Sequence, residues 1–222
     1  MANHKTVSIA DQIFEQLEQE ILSGKYVKGD VISELKLSEE LGVSRTPIRE
    51  AISRLLMERL LKEGVRGLEV VGVSMEDVMD MYEVRARLEG MAAGMAAKNI
   101  SPQMLAAIQE TLEMQHFFIG KQATGGGDRS EKIRDLDSRF HELLYEASDS
   151  HVLIDVLQPI HKKITKFRKA SMRRTNSAEE SWQEHHAIYT ALVSGNAEEA
   201  ELAAVEHIRK AKNRIAEIKD EE

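Results

Sequence analysis

Four side chains in the second half of the chain are of types that a divalent cation selects. Asp137 and His141 stand four residues apart, so a helix places both on one face, one turn from each other. They fall within an apolar stripe of Ile133, Leu136, Phe140 and Leu144. His185 lies on the stripe of Trp182, Ile188, Tyr189 and Leu192, and His207 on that of Ala200, Ala203, Ala204 and Ala211. Three helices thus point titratable groups inward, and burying a carboxylate and three imidazoles apart from one another is costly. Two readings satisfy them: separate core histidines with their own hydrogen-bond partners, or one divalent ion that gathers all four. The adjacent His186 is turned about 100° from His185 and reads as a surface group.

A second set of groups is basic. Residues 45–66 hold Arg45, Arg49, Arg54, Arg59, Lys62 and Arg66 against three acidic residues, in a chain of formal net charge −8. Arg45 and Arg49 share a helix face about 6 Å apart, close to two base-pair steps of duplex DNA. Guanidiniums so spaced can meet guanine O6 and N7 edges or flanking phosphates. Ser44 and Thr46 at the helix start can donate to phosphate with help from the helix dipole. Arg66, at the tip of a turn, can enter the minor groove or lie along the backbone. The plain alternative is a solvated face of ordinary surface arginines.

These groups need elements to hold them. Three prolines, 5% aromatic residues and many Ala, Leu, Glu and Lys favour helices. A first helix is expected over residues 8–22, with Ile13, Leu17, Ile21 and Leu22 on its core side and Ser23-Gly24 ending it. Lys28-Gly29-Asp30 turns into a short extended stretch. Ser33 then caps a short helix carrying Leu37 and Leu41, and Gly42 suits a left-handed C-terminal cap. Ser44 caps the next helix, over 44–60, whose first turn tolerates Pro47 and whose core face is Ile48, Ala51, Ile52, Leu55 and Leu56. Residues 60–63 and 68–73 read as strands around Gly64-Val65-Arg66-Gly67, a hairpin. Two helices, a tight turn and a hairpin describe a winged helix-turn-helix. Within that frame the arginines read as DNA contacts.

From Ser74 onward only helices are expected. A Ser74/Asp77 capping box opens one to about residue 98, and Ser101-Pro102 starts another. Others cover 131–147, 151–172 with a kink or interruption at Pro159, 178–193 and 197–218. Ser177/Glu180 and Asn196/Glu199 have capping-box spacing. Residues 121–130, with Gly125-Gly126-Gly127, read as a flexible linker; no Gly-Lys-Ser/Thr follows, so this is no phosphate loop. The fold class is mainly α: a winged helix-turn-helix over residues 1–73 and an all-α antiparallel bundle over residues 74–222. With 42% hydrophobic and 31% charged residues the chain can bury a real core. Zero cysteines exclude disulfides, thiolate metal sites and a cysteine nucleophile. No apolar run approaches the roughly 18–20 residues of a membrane span. The N-terminal residues lack the apolar segment of a signal peptide, so a cytoplasmic location is expected.

The run Leu41-Gly42-Val43-Ser44-Arg45-Thr46-Pro47-Ile48-Arg49-Glu50-Ala51, followed by Arg54-Leu55 and the Gly64-Val65-Arg66-Gly67 wing, resembles the GntR family of bacterial transcription regulators. Ile21-Leu22-Ser23-Gly24 and Lys28-Gly29-Asp30 agree with it. This resemblance covers about residues 8–73 and implies DNA contacts at Arg45, Thr46, Arg49 and the wing-tip Gly67. Some members also use an arginine in the preceding helix, where Leu35 and Lys36 stand here. Asp137-Ser138-Arg139-Phe140-His141, Glu184-His185-His186-Ala187-Ile188 and the late His207 resemble the FCD effector domain of the FadR-type branch, over about residues 75–218. In that family these positions hold a divalent metal (zinc, nickel or manganese) beside a pocket for small carboxylates, which implies Asp137, His141, His185 and His207 as ligands. Four protein ligands on an octahedral ion leave two positions for a bidentate carboxylate or two waters. Arg85 matches the family's R-x-x-L-E, whose arginine lines the pocket; the structural alternative is an ion pair with Glu89 at i+4. Where the family commonly has Ser-Gly-Asn, this chain reads Ser148-Asp149-Ser150. The short second half is similar to the six-helix VanR-type variant.

The expected function is a ligand-responsive transcription regulator, a repressor, whose homodimer reads a palindromic operator in double-stranded DNA. A small carboxylate is its effector and no membrane is involved. The rival is a metal-dependent hydrolase or oxygenase tethered to DNA by its head, for which neither a separate general base nor a nucleophile motif is found. A third reading makes the helical half a dimerisation module alone.

Overall fold

Ser8 opens α1 (Ile9–Leu22) with a capping box: its Oγ accepts from Asp11 N at 3.1 Å, and the Asp11 carboxylate accepts from Ser8 N at 3.3 Å. The computed structural model describes residues 8–125, 127–171 and 178–219. They fall into two compact units, residues 8–75 with 166–171 and residues 76–165 with 178–219.

In the first unit α1 is followed by β1 (Val31–Ile32), α2 (Glu34–Leu41), α3 (Arg45–Met57), β2 (Leu61–Gly64) and β3 (Gly67–Val70). Ser33 Oγ caps α2 by accepting from Lys36 N at 3.4 Å, and Gly42 ends it at φ +65°, where a Cβ is disfavoured. Ser44 occupies the N-cap position of α3 with extended backbone but makes no side-chain capping bond. This helix stops at Met57, short of residue 60, because Arg59 turns left-handed at φ +57°. The strands pair with Gly64 opposite Gly67 across the two-residue turn Val65-Arg66. The extended stretch before Ser33 joins them as a third strand, giving the antiparallel order β1-β3-β2. Ile13, Leu17 and Ile21 of α1 are buried with Ile48, Ile52 and Leu55 of α3. Each such side chain contributes about 1.5–3 kcal/mol of burial. The packed apolar face of α3 therefore leaves the face carrying Arg45 and Arg49 outward.

Six helices follow among the described residues: α4 (Met75–Asn99), α5 (Pro102–Ala123), α6 (Ser130–Ala147), α7 (His151–Ser171), α8 (Ala178–Ser194) and α9 (Ala197–Lys219), and they make up the second unit apart from Met75 and the last turns of α7, from residue 166, which belong to the first. The core of the second unit gathers Ile108 and Leu112 from α5, Phe140 and Leu144 from α6, Leu157 from α7, Ile188 and Leu192 from α8, and Ala200 and Ala204 from α9. Gly90 of α4 permits close approach to α9, since a Cβ there would lie 2.6 Å from Val205 Cγ2. Ser101 caps α5 through Met104 N at 3.2 Å, with Pro102 in its first turn. The helix runs on to Ala123, into the segment expected as linker. Asp149 takes φ +53° in the turn after α6, where the resembled family commonly has glycine. Contrary to an interruption, α7 continues through Pro159. Both Pro159 and Asp155, whose carbonyl loses its helical donor, are exposed, so solvent can take the place of the lost bond. Asn196 and Glu199 cap α9 reciprocally, Glu199 N donating to Asn196 Oδ1 at 3.2 Å and Asn196 Nδ2 to Glu199 Oε2 at 3.0 Å. Ser177, Gly126 and Met172, which figure in the expected cap, linker and helix end, lie outside the described residues. Among the described residues, no helix is long and apolar enough to cross a membrane.

Candidate functional site

On the first unit Ser44, Arg45, Thr46 and Arg49 are all exposed along the start of α3, and Arg66 and Gly67 are exposed at the hairpin tip. Gly67 sits at φ +120°, a conformation that favours glycine. The arginines do not float. Glu34 Oε2, at the start of α2, accepts from Arg45 Nη2 and from Arg49 Nε, each at 2.9 Å. Hydrogen bonds from Arg49 and Arg45 hold the Glu34 carboxyl below its ordinary range. Arg54 belongs to the same basic segment but serves packing. Its Nη1 lies 2.5 Å from Asp11 Oδ1, and its guanidinium sits 3.9 Å above the Phe14 ring, bracing α1 against α3.

In the second unit α6, α8 and α9 bring His141, His185 and His207 together. Their Nε2 atoms meet, His207 lying 3.2 Å from His185 and 3.3 Å from His141. Asp137, one turn before His141, places Oδ1 3.9 Å from His185 Nε2 and accepts from Ser181 Oγ at 3.1 Å. Phe140 stacks on His185 with ring centroids 4.1 Å apart, which sets that imidazole's plane. All three rings are buried. Burial pushes His141 well below its ordinary pKa and His185 down to about 3, so both are neutral.

Two carboxylates decide which nitrogen carries the proton. His141 Nδ1 donates to Glu89 Oε2 at 2.9 Å, and His207 Nδ1 donates to Glu184 Oε2 at 2.8 Å. A carboxylate only accepts, so both rings carry hydrogen on Nδ1 and turn Nε2 inward. Burial pushes the Glu184 carboxyl up, but the Arg214 fork (2.8 and 2.9 Å) and His207 outweigh it and hold it at about 2. A divalent cation between the Nε2 atoms of His207 and His141, 3.3 Å apart, would take both as ligands. Ligand atoms about 2.1 Å from one ion stand about 3.0 Å apart at right angles and about 3.4 Å apart at the tetrahedral angle. The observed separations of 3.2 and 3.3 Å lie within that span, and carboxylates on Nδ1 are the usual support of metal-bound histidine. The residues fit a divalent ion. His207 and Glu184 also line a cleft of about 620 Å³ along α8 and α9.

Arg85 is buried and donates from Nε to Glu89 Oε1 at 2.5 Å, so the i+4 ion pair is present. Burial opposes its charge, but the facing Glu89 carboxylate more than offsets this and raises its pKa. Tyr145 donates to the same Oε1 at 2.6 Å, while Arg85 Nη2 has no hydrogen-bond partner.

The pattern that defines "Bacterial regulatory proteins, gntR family" matches residues 9–66, and that of the FCD domain matches residues 80–210. The chain belongs to the GntR family. Its similarity to the uncharacterized HTH-type transcriptional regulator YdhC of Bacillus subtilis is 30% identity, over 88% of this chain and 86% of that one. It is 24% identical to the HTH-type transcriptional repressor RspR of Escherichia coli, over 97% of this chain and 92% of that one. The solved structure of McbR/YncC of E. coli shares the fold at a TM-score of 0.66 and 24% identity, covering 96% of this chain and 99% of that one. These families and relatives are transcription regulators rather than enzymes, and this GntR protein is a DNA-binding transcriptional regulator with a helical FCD domain.

Sequence reasoning missed Glu34 and Glu184 in this GntR regulator, and saw Glu89 only as a partner for Arg85. Glu184 stood next to His185, but its partnership with α9 depends on how two helices face. Replacing Glu34 by Gln should unfasten both arginines. Fluorescence anisotropy on an operator selected from random duplexes should then show weaker specific binding. Binding to unrelated duplex should grow more salt-dependent, by roughly one unit of slope. Equal changes on both duplexes would contradict a positioning role for Glu34.

Proposed function

We propose that this GntR regulator is a metal-containing, carboxylate-responsive repressor that binds a palindromic operator as a homodimer. The observation that carries the reading is the meeting of three imidazole Nε2 atoms at 3.2 and 3.3 Å, two of them oriented by carboxylates. Asp137, His141, His185 and His207 hold the ion, which is zinc, nickel or manganese. When bound, a divalent ion supplies a positive centre with open positions for an anionic ligand. Arg85 takes the carboxylate of the effector; its Nε is committed to Glu89 while Nη2 is buried without a partner, so both roles coexist in one side chain.

Residues 1–73 form the DNA head and residues 74–222 the effector and dimerisation domain, working in the cytoplasm. Arg45 and Arg49 read base edges, Ser44 and Thr46 contact phosphate, and Arg66 and Gly67 bring the wing to the neighbouring backbone or minor groove. One helix with two base-reading arginines distinguishes few base pairs, and a two-fold pair doubles the site. The exposed Val84, Met91 and Met95 on α4, with half-buried Leu88 between them, form an apolar stripe that suits a second copy of the chain. An effector that binds one dimer geometry more tightly shifts the population away from the DNA-competent one.

Asp137→Ala and His207→Ala should each lose stoichiometric metal by elemental analysis while the head keeps its affinity for non-specific duplex; one equivalent retained in both variants would refute the ligand set. Met91→Glu should shift sedimentation from dimer to monomer. An unchanged dimer would move the interface elsewhere.

A further inference from the structure

Close-packed interiors admit no ion, so a buried cation site needs a way in. The rings of His141, His185 and His207 are all buried. Phe140 covers His185, and Tyr145 and Arg85 stand behind Glu89 on the far side of His141. His207 differs, because it also lines the cleft of about 620 Å³ along α8 and α9, with Glu184 beside it. Its Nε2 faces the other two imidazoles, and its Nδ1 donates to Glu184 Oε2 at 2.8 Å. One ring therefore separates the cleft from the cluster. The cleft has room for a hydrated ion, since six waters of about 30 Å³ each fill about 180 Å³.

Its lining carries the sign of charge that attracts a cation. Glu180, Glu184, Glu206 and Glu217 line it together with Lys210 and Arg214, an excess of two negative charges. Both basic groups are engaged by carboxylates of the same cleft. Lys210 Nζ stands 3.7 Å from Glu206, while Arg214 forks onto Glu184 and lies 3.6 Å from Glu180. A concave surface of one sign concentrates the field and raises the local level of counter-ions. Oxygen donors at the mouth and imidazoles at the base also rank the ligands so that a borderline-soft ion such as zinc is drawn inward. Asp137, whose side chain is 21% exposed beside Ser181, is the rival point of entry.

We propose that the acidic cleft between α8 and α9 is the port through which the divalent ion enters and leaves, with the His207 ring as its inner wall. This rests on the reading of Asp137 and the three imidazoles as a metal site, and says how that site is loaded.

The test is stopped-flow mixing of the full-length protein, stripped by chelator and dialysed, with cobalt(II), whose visible absorption reports coordination. Release is read on adding excess chelator. The double variant Glu206→Gln with Glu217→Gln should slow association roughly tenfold, the low end of what the charge of a cleft contributes. The fall of that rate with added salt should flatten. Release should slow by the same factor, because a change confined to the path leaves the bound state and the affinity unaltered. Ala187→Trp places a plug on the exposed cleft side of α8 and should slow both directions without altering charge. Ala106→Trp, exposed on α5, should change neither rate. Unchanged rates in both cleft variants put the entry at Asp137 and overturn this proposal while leaving the metal site standing. Faster release with unchanged association means that the carboxylates act on the bound ion rather than on its path, and also overturns it. A parent protein that takes up no cobalt overturns the metal reading and this proposal with it.

Discussion

Three buried histidines of the FCD unit crowd their ring nitrogens together, the Nε2 atoms of His185 and His141 each within 3.3 Å of that of His207, and a divalent ion among them would be held by all three. The constraint is enforced from outside the cluster. Glu89 and Glu184 take the Nδ1 protons of His141 and His207, and they are themselves held by Arg85 and Tyr145 on one side and by the Arg214 fork on the other. Four helices are thereby tied into one polar network through an otherwise apolar bundle. Removing one member of such a buried ionic pair costs about 3–5 kcal/mol, because its partner is left uncompensated. The network is therefore rigid where the proposed ion and effector meet it.

The DNA head solves a different electrostatic problem. A chain of net charge −8 is repelled by phosphate, so attraction depends on local concentration of cations rather than on the total. Arg45 and Arg49 stand outward because the opposite side of α3 is filled by Ile48, Ile52 and Leu55. Glu34 restrains both guanidiniums, which limits the side-chain entropy lost in the proposed base contacts and lowers the attraction for phosphate in general. Arg54 shows that a basic residue on a recognition helix need not face nucleic acid: stacked on Phe14 and paired with Asp11, it belongs to the fold.

Periodicity carried most of the architecture. The stripes through Ile13, Ile48 and Phe140 were legible because each helix buries one side, and Ser8, Ser33, Ser101 and Gly42 marked ends through local chemistry. Spacing also put Asp137 and His141 on one face, yet it left open whether His185 and His207 joined them or sat apart. What stayed hidden depends on pairs far apart in the chain. Glu34 reaches Arg49 across 15 residues, Glu89 reaches His141 across 52, and Glu184 reaches His207 across 23. No local pattern encodes which helices face each other at those heights. His161 was invisible for the same reason, since its ring on α7 meets those of His141 and Tyr145 on α6 only once the two helices pack. Pro159 does not interrupt α7, because a proline on an exposed helix side breaks a bond that water can replace.

The most direct test of the central claim is X-ray absorption at the edge of the metal that co-purifies with the protein prepared without chelators. A shell of three imidazole nitrogens and oxygen donors at about 2.0–2.2 Å, one ion per chain, is the expected result. A protein that carries no ion, or one whose ion lacks imidazole scattering, would contradict the account.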